Sequence, residues 1–207
     1  MKLNYKNFEI NVFKNRNYTL NLIDNLKQYE KVYFNEKHKQ DQSQLTSKLA
    51  ITIKQFGNEI STSIICGTEE VIEIYNDSFI LEDDKIWILS NNEIYCLELP
   101  TLELVWVKEF DLHSNFSIYK LEEDFIIHGE SQIFRISKGG DIIWSFAGRD
   151  IWFNMEGEPE LTIEKDKIRL FDFESNEYVL DFDGNLIEDN PRIILVEIKK
   201  KWWKIFG

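Results

Sequence analysis

A short pattern recurs three times in this chain and constrains its fold more than any other feature. It reads Asp84-Lys85-Ile86-Trp87-Ile88-Leu89, then Asp124-Phe125-Ile126-Ile127-His128, then Asp166-Lys167-Ile168-Arg169-Leu170-Phe171. Each copy is followed by a second strand-like run carrying an aromatic: Glu93-Ile94-Tyr95-Cys96-Leu97, Gln132-Ile133-Phe134-Arg135-Ile136 and Glu177-Tyr178-Val179-Leu180-Asp181. The aromatics Tyr95, Phe134 and Tyr178 are 39 and 44 residues apart. That period is the one of β-propeller blades and other antiparallel β-repeats.

Turn chemistry agrees with the period. Pro100-Thr101, Lys138-Gly139-Gly140-Asp141 and Asp183-Gly184-Asn185 each separate two strand-like runs. Upstream, Ala50–Lys54 and Glu59–Ile64 flank Phe56-Gly57-Asn58, a hairpin signal, and Val71–Tyr75 and Phe79–Leu81 flank Asn76-Asp77-Ser78. Alternation is imperfect in runs such as Ile142-Ile143-Trp144, which implies strands buried on both faces. The expected fold is all-β: consecutive antiparallel blade-like hairpin units forming a small or incomplete β-propeller-like body, in a single domain spanning 1–207. Residues 49–190 are the repeat body and 1–48 a less regular start. There Phe8–Phe13 alternates as a strand, and 20–34 fits either an amphipathic helix or an irregular strand. Residues 35–48 are polar and expected to loop. Residues 191–207 read as a final strand followed by a basic aromatic tail, Lys199–Phe206. That tail is expected to fold back on the acidic body rather than lie at a membrane interface.

Charge narrows function. The net charge of −13 divides into +4 over residues 1–60, −21 over 61–190 and +4 over 191–207. An acidic body of that size repels nucleic acid and anionic lipid and steers basic partners toward it. Only two cysteines occur, Cys66 and Cys96, both in apolar runs and expected as buried free thiols rather than a disulfide framework. No apolar run is long enough to span a membrane, and the first residues lack the apolar core of a signal peptide, so a cytoplasmic protein is expected.

The blade units resemble those of quinoprotein-type β-propellers over roughly residues 75–190. Ile94-Tyr95-Cys96-Leu97-Glu98-Leu99 leading to Leu104-Val105-Trp106 carries the likeness, and Ile133–Ile136 through Gly140–Trp144 repeats it. The third copy keeps Asp183-Gly184-Asn185-Leu186-Ile187 but has no Trp. A quinoprotein enzyme has six to eight blades, calcium and an axial quinone. This chain has room for about four units, so no cofactor is carried over. Phe125–Glu130 and Phe146–Ile151 also resemble, loosely, small uncharacterised bacterial proteins associated with immunity to secreted toxins.

Motifs for chemistry are absent. Asp181–Asn185 fails the EF-hand pattern at Leu186 and Arg192 and reads as an Asp-Gly turn. His38, His113 and His128 have no metal-ligand spacing, and no nucleophile or phosphate motif occurs. Gly148-Arg149-Asp150 with Trp152 reads as an ion pair at a blade corner. The densest acids, Glu122-Glu123-Asp124, Glu156/Glu158/Glu160 and Glu69-Glu70, suit either solvated loop ends or an anionic binding surface. The expected function is therefore non-catalytic: an immunity protein whose candidate contacts Glu122, Glu123, Asp124, Glu156, Glu158 and Glu160 engage a basic toxin domain. A propeller-like scaffold and a carbohydrate-acting enzyme with hidden carboxylates are the alternatives.

Overall fold

The computed structural model describes residues 1–68, 74–154, 157 and 159–192. Seventeen strands form four sheets. The N-terminal sheet holds β1 (Lys2–Tyr5), β2 (Phe8–Lys14), β3 (Lys31–Tyr33), β4 (Ser47–Gln55) and β5 (Asn58–Gly67), in the order β1-β2-β4-β5-β3. Three four-stranded antiparallel meanders follow. The first blade is β6 (Phe79–Glu82), β7 (Lys85–Ser90), β8 (Glu93–Glu98) and β9 (Leu104–Glu109). The second is β10 (Asn115–Leu121), β11 (Asp124–Gly129), β12 (Ile133–Ile136) and β13 (Ile142–Phe146), and the third is β14 (Leu161–Ile163), β15 (Ile168–Phe171), β16 (Glu177–Leu180) and β17 (Leu186–Asn190). The fold is all-β with propeller-like blades.

Pleating makes each blade two-faced, and the three copies use their faces in the same sense. Tyr95 and Leu97 face back onto the N-terminal sheet, against Val12, Leu49, Ile51 and Ile65. On the other face of that blade, Trp87, Leu89, Ile94 and Cys96 meet Phe125, Ile127, Phe134 and Ile136 of the second blade. The second blade turns Ile126 and Ile133 toward Ile168, Leu170, Tyr178 and Leu180 of the third. The repeated aromatics thus pack backward, one sheet per period. Among the described residues no core cluster joins the third blade to the N-terminal sheet. The free face of that sheet (Ala50, Ile64, Cys66) is instead covered by Tyr18, Tyr29 and Leu45. Among the described residues the four sheets therefore stand as an open stack.

Among the blade strands β7, β8 and β11 are buried on both faces, which is why they read as continuous apolar runs, and in the N-terminal sheet most of β4 and β5 is buried in the same way. The run Ile142-Ile143-Trp144, expected to be one of them, belongs instead to the outer strand β13, where Ile142 and Ile143 are half-exposed. An apolar pair opens each outer strand (Leu104-Val105, Ile142-Ile143, Leu186-Ile187), so composition alone misled there.

Residues 20–34 form turns followed by the short strand β3, not a helix. Asn25 ties the turns by bonding Thr19 and Leu22, and Leu22, Ile23 and Leu26 face solvent. Strand β3 pairs parallel to β5, completing a sheet that draws on both sides of residue 48. Phe56 and Gly57 both adopt positive φ (49° and 83°), as a two-residue hairpin requires. The expected strand at 71–75 falls mostly outside the described residues, as do all but the first two residues of the expected final strand and tail at 191–207.

A second repeated contact runs forward. The Trp106 indole N–H donates to the Lys138 carbonyl (3.2 Å), and the Trp144 indole N–H donates to the Phe182 carbonyl (2.8 Å). Each acceptor lies in the β-turn between the last two strands of the next blade. In both, a glycine two residues on has positive φ (Gly140, 78°; Gly184, 82°) and lies directly under the indole. In the N-terminal sheet Tyr33 takes the same part, its hydroxyl donating to Leu102 in the Pro100-Thr101 turn (2.8 Å). The third blade carries Glu188 at the Trp position, paired with Val179 as Trp144 pairs with Arg135. No described sheet follows for a Trp to reach. On its outward face Arg169, bonded to Glu164 and Glu177, stands where the first blade has Trp87, beside the fully buried Val179 at the Cys96 position.

Candidate functional site

The inner strands gather polar groups that the sequence scatters. β10 packs beside β6 and β7, and at that end of the stack the chain leaves a cleft of about 520 Å³, within the range of ligand sites. Its walls come from the turn before β6, the β7–β8 turn, the start of β10, the end of β11 and the segment before β14.

Backbone bonds fix these pieces. Ser78 Oγ accepts from the Tyr75 amide (3.0 Å), closing the Tyr75–Ser78 turn, and the Asp77 carbonyl accepts from the Ile118 amide (2.8 Å). Asn91 takes positive φ (59°), and its carbonyl accepts from the Asn115 amide (3.0 Å). Strand β10 carries a bulge here: Asn115 pairs with Gly129 and Ser117 with His128, leaving Phe116 as the extra residue. The other blade bulges recur at one place, between the third and fourth strands; this one is confined to the second blade's inner pair. Bulges re-aim side chains, and this one places the Phe116 ring edge-on to His128 at 5.2 Å.

His128 is buried. Its Nε2 lies 2.9 Å from the Trp152 carbonyl, which only accepts, so Nε2 carries the proton and Nδ1 faces Ser117 Oγ at 3.4 Å. Burial lowers the His128 pKa, and the Trp152 bond with the nearby carboxylates of Glu160, Asp77 and Asp111 only partly opposes this. The imidazole is neutral near pH 7. A histidine whose folded pKa lies below its unfolded value leaves stability whole above about pH 6.5; stability is lost as pH falls from there through the folded value, because only the unfolded chain binds the proton. Urea midpoints measured from pH 7 to pH 5 are expected to decline in the wild type and to stay flatter in His128→Gln; equal slopes would contradict this. The paired carboxylates Glu82, Asp83 and Glu164 have lowered pKa values, so their losses come at more acid pH.

Two carboxylates enter the cleft, Asp77 and Glu160. Glu160 Oε1 accepts the Asn154 amide (3.0 Å), and the Tyr119 hydroxyl points at Asp77 Oδ2 (3.5 Å). Burial and the charges of Asp77 and Glu160 raise the Tyr119 pKa. Among the described residues neither carboxylate has a Lys or Arg partner, and no Lys or Arg lines the cleft. Asn115 also lines it. Only 7% of Asn115 is exposed, and neither its side-chain nitrogen Nδ2 nor its side-chain oxygen Oδ1 has a hydrogen-bond partner. Leaving such a group unpaired costs about 1–3 kcal/mol. Phe116 and Phe153 stand half-exposed at the rim.

The sequence-derived acids divide between two places. Glu160 belongs to the cleft. Glu122, Glu123 and Asp124 sit at the far end of β10, about 20 Å away along a seven-residue strand. There Arg135 binds Asp124 (2.8 Å) and Glu122 (3.2 Å), and Lys138 binds Asp83 (2.8 Å), Glu82 (3.1 Å) and Glu123 (3.4 Å). Glu123 remains the most exposed of them. Glu156 and Glu158 lie outside the described residues. The ion pair at Arg149 is formed, but with Asp189 in a bidentate bond (2.7 and 2.6 Å), while Trp152 is fully buried beside Tyr178. Asp181–Asn185 is a turn, with Asp181 Oδ1 accepting the Asn185 amide (2.8 Å). Cys66 and Cys96 are free and buried, burial pushing their thiols up to about 11 and about 12.

Sequence reasoning missed Asp77, Asn115, Phe116, Tyr119 and Phe153. The available signal was positional: Asn76-Asp77-Ser78 sits just before the first strand of a blade, and Ser114-Asn115 straddles the start of another. No metal-binding group of residues occurs among the described residues, and no helix there is long and apolar enough to cross a membrane.

No protein-family model matches the chain, and no curated protein sequence does. Similar solved structures include the WD40 domain of Pan2 from Neurospora crassa (12% identity, 56% of this chain and 37% of that one, TM-score 0.44). They also include BamB from Moraxella catarrhalis (10%, 72% and 50%, 0.49) and the AfRom2 CNH domain (9%, 70% and 47%, 0.44). The chain spans half or less of each.

Proposed function

We propose that the protein is a non-catalytic interaction module, a propeller-like scaffold that receives a partner at the cleft beside β10. The observation that carries this reading is the cleft itself: rim aromatics, a buried unpaired amide and two carboxylates without cations, on strands held rigid by blade packing. Its one imidazole has Nε2 engaged with a backbone carbonyl, an arrangement suited to structure rather than proton transfer. The cytoplasm is the proposed setting, where two buried free thiols are at home.

The narrower reading, immunity against a cationic toxin, draws support from the charge of −21 over residues 61–190. It draws less from Glu122 and Asp124, which already hold Arg135. A photoreactive residue at position 153 is expected to cross-link one discrete protein in cell extract, and the same residue at position 173 is not. Equal capture from both positions contradicts the module. Turnover of generic glycosides or phosphoesters that disappears in Glu160→Gln would establish an enzyme instead.

A further inference from the structure

We propose that the cleft takes an ammonium or guanidinium group carried on an aliphatic stem, held between Asp77 and Glu160 with Phe116 and Phe153 flanking the stem. The inference rests on reading the cleft as a binding site and adds the chemistry of what binds.

Charge comes first. Asp77 and Glu160 are both half-buried, both lie within electrostatic reach of Tyr119 and His128, and among the described residues neither meets a cation. Elsewhere the half-buried carboxylates Glu82, Asp124 and Glu164 hold bases of the chain, while the more deeply buried Glu93, Asp111 and Asp172 hold hydroxyl or amide donors in place of one. Two half-buried carboxylates that line one cleft without a base of the chain favour an inserted cation. Neutral His128 adds no opposing charge.

The second observation is independent of charge. Asn115 is more than nine-tenths buried in the cleft wall, with donor and acceptor both unmatched. Rotation of the Asn115 side chain into the cleft offers its oxygen to an N–H of the ligand and its nitrogen to a carbonyl on the ligand. Third, the Phe116 bulge and exposed Phe153 offer apolar ring faces at the mouth, suited to the methylene stem of a long basic side chain and to a cation beside it. A neutral sugar also suits aromatics and amides, but it leaves the two unpaired carboxylates without a counter-charge.

The test is titration of the full chain by NMR and calorimetry with Nα-acetyl-arginine methylamide, Nα-acetyl-lysine methylamide and the uncharged Nα-acetyl-norleucine methylamide. Spermidine and N-acetylglucosamine serve as further probes. The cationic probes are expected to shift resonances of Phe116, Ser117 and Phe153 and to bind at least about tenfold tighter than the norleucine probe. Asp77→Asn and Glu160→Gln are each expected to weaken them about tenfold, with added salt weakening them further. Thermal melts of both variants confirm folding. Equal binding of charged and uncharged probes, preference for the sugar, or no cation binding at millimolar concentration overturns the inference. Cross-linking of a discrete partner at position 153 without cation binding would sink this inference and leave the interaction module standing. Spermidine binding without a partner would do the reverse.

Discussion

Gly184→Ala is expected to destabilise the protein by about 3 kcal/mol, far more than a surface turn substitution ordinarily does. Two effects add at this position. The backbone sits at φ 82°, where a Cβ is strained, and the new Cβ would lie 2.7 Å from the Trp144 ring. The indole cannot retreat freely, because its N–H is bonded to the Phe182 carbonyl and its ring packs into the core between the second and third blades. Gly57→Ala is the matched control: φ is 83°, yet nothing lies within 4 Å of the added carbon. It is expected to cost only the backbone part, about 1 kcal/mol. Urea unfolding of both variants checks the difference. Equal losses would mean that the indole clasp contributes nothing.

Trp87→Ala is expected to cost about 3–5 kcal/mol and to lower Tm by about 10 °C or more. Trp87 is among the largest fully buried side chains and sits at the centre of the core between the first two blades, its ring 4.9 Å from Phe125 in an edge-on packing. Removing it opens a cavity between two sheets that are already braced on their other faces, so the site cannot collapse easily. The lost indole N–H does not orphan its acceptor, since Trp106 donates to the same Lys138 carbonyl. The loss should therefore be mainly one of packing. Trp87→Phe, which restores much of the volume, is expected to recover a large part of the stability in thermal melts. If the alanine variant melts within about 3 °C of the wild type, the inter-blade core is misassigned.

The blades were legible because β7, β8 and β11 are buried on both faces and the aromatics of all three blades repeat with the sheet. The missing Trp in the third copy, a mere irregularity in the sequence, has a physical reading once the clasp is seen: the indole serves the next blade, and Glu188 has none among the described residues to serve. The N-terminal sheet was only half legible. Its outer strand β3 is three residues long and pairs parallel, and its order is not that of the chain. Of the residues at helical spacing in 20–34, Leu22, Ile23 and Leu26 face solvent while Tyr29 and Tyr33 pack in two different clusters, so the spacing marked no single face. The cleft was least legible. Asp77 and Glu160 are far apart in sequence, and a serine or asparagine before a strand looks like any turn residue. Nor does sequence show which acids already hold a base. Glu122-Glu123-Asp124 drew attention by density, yet Arg135 and Lys138 bind that turn, while the lone Asp77 has no such partner among the described residues.

Native-state amide hydrogen exchange, comparing the wild type with Gly184→Ala, tests the open stack most directly. In an open stack, loosening the clasp between the second and third blades should release the third blade without disturbing the far end. The expected result is loss of protection across β14–β17, a smaller loss in β12 and β13, and unchanged protection in β2, β4 and β5. An equal loss in β4 and β5 would contradict it, because the sheets would then form one cooperative ring in which every blade depends on every other.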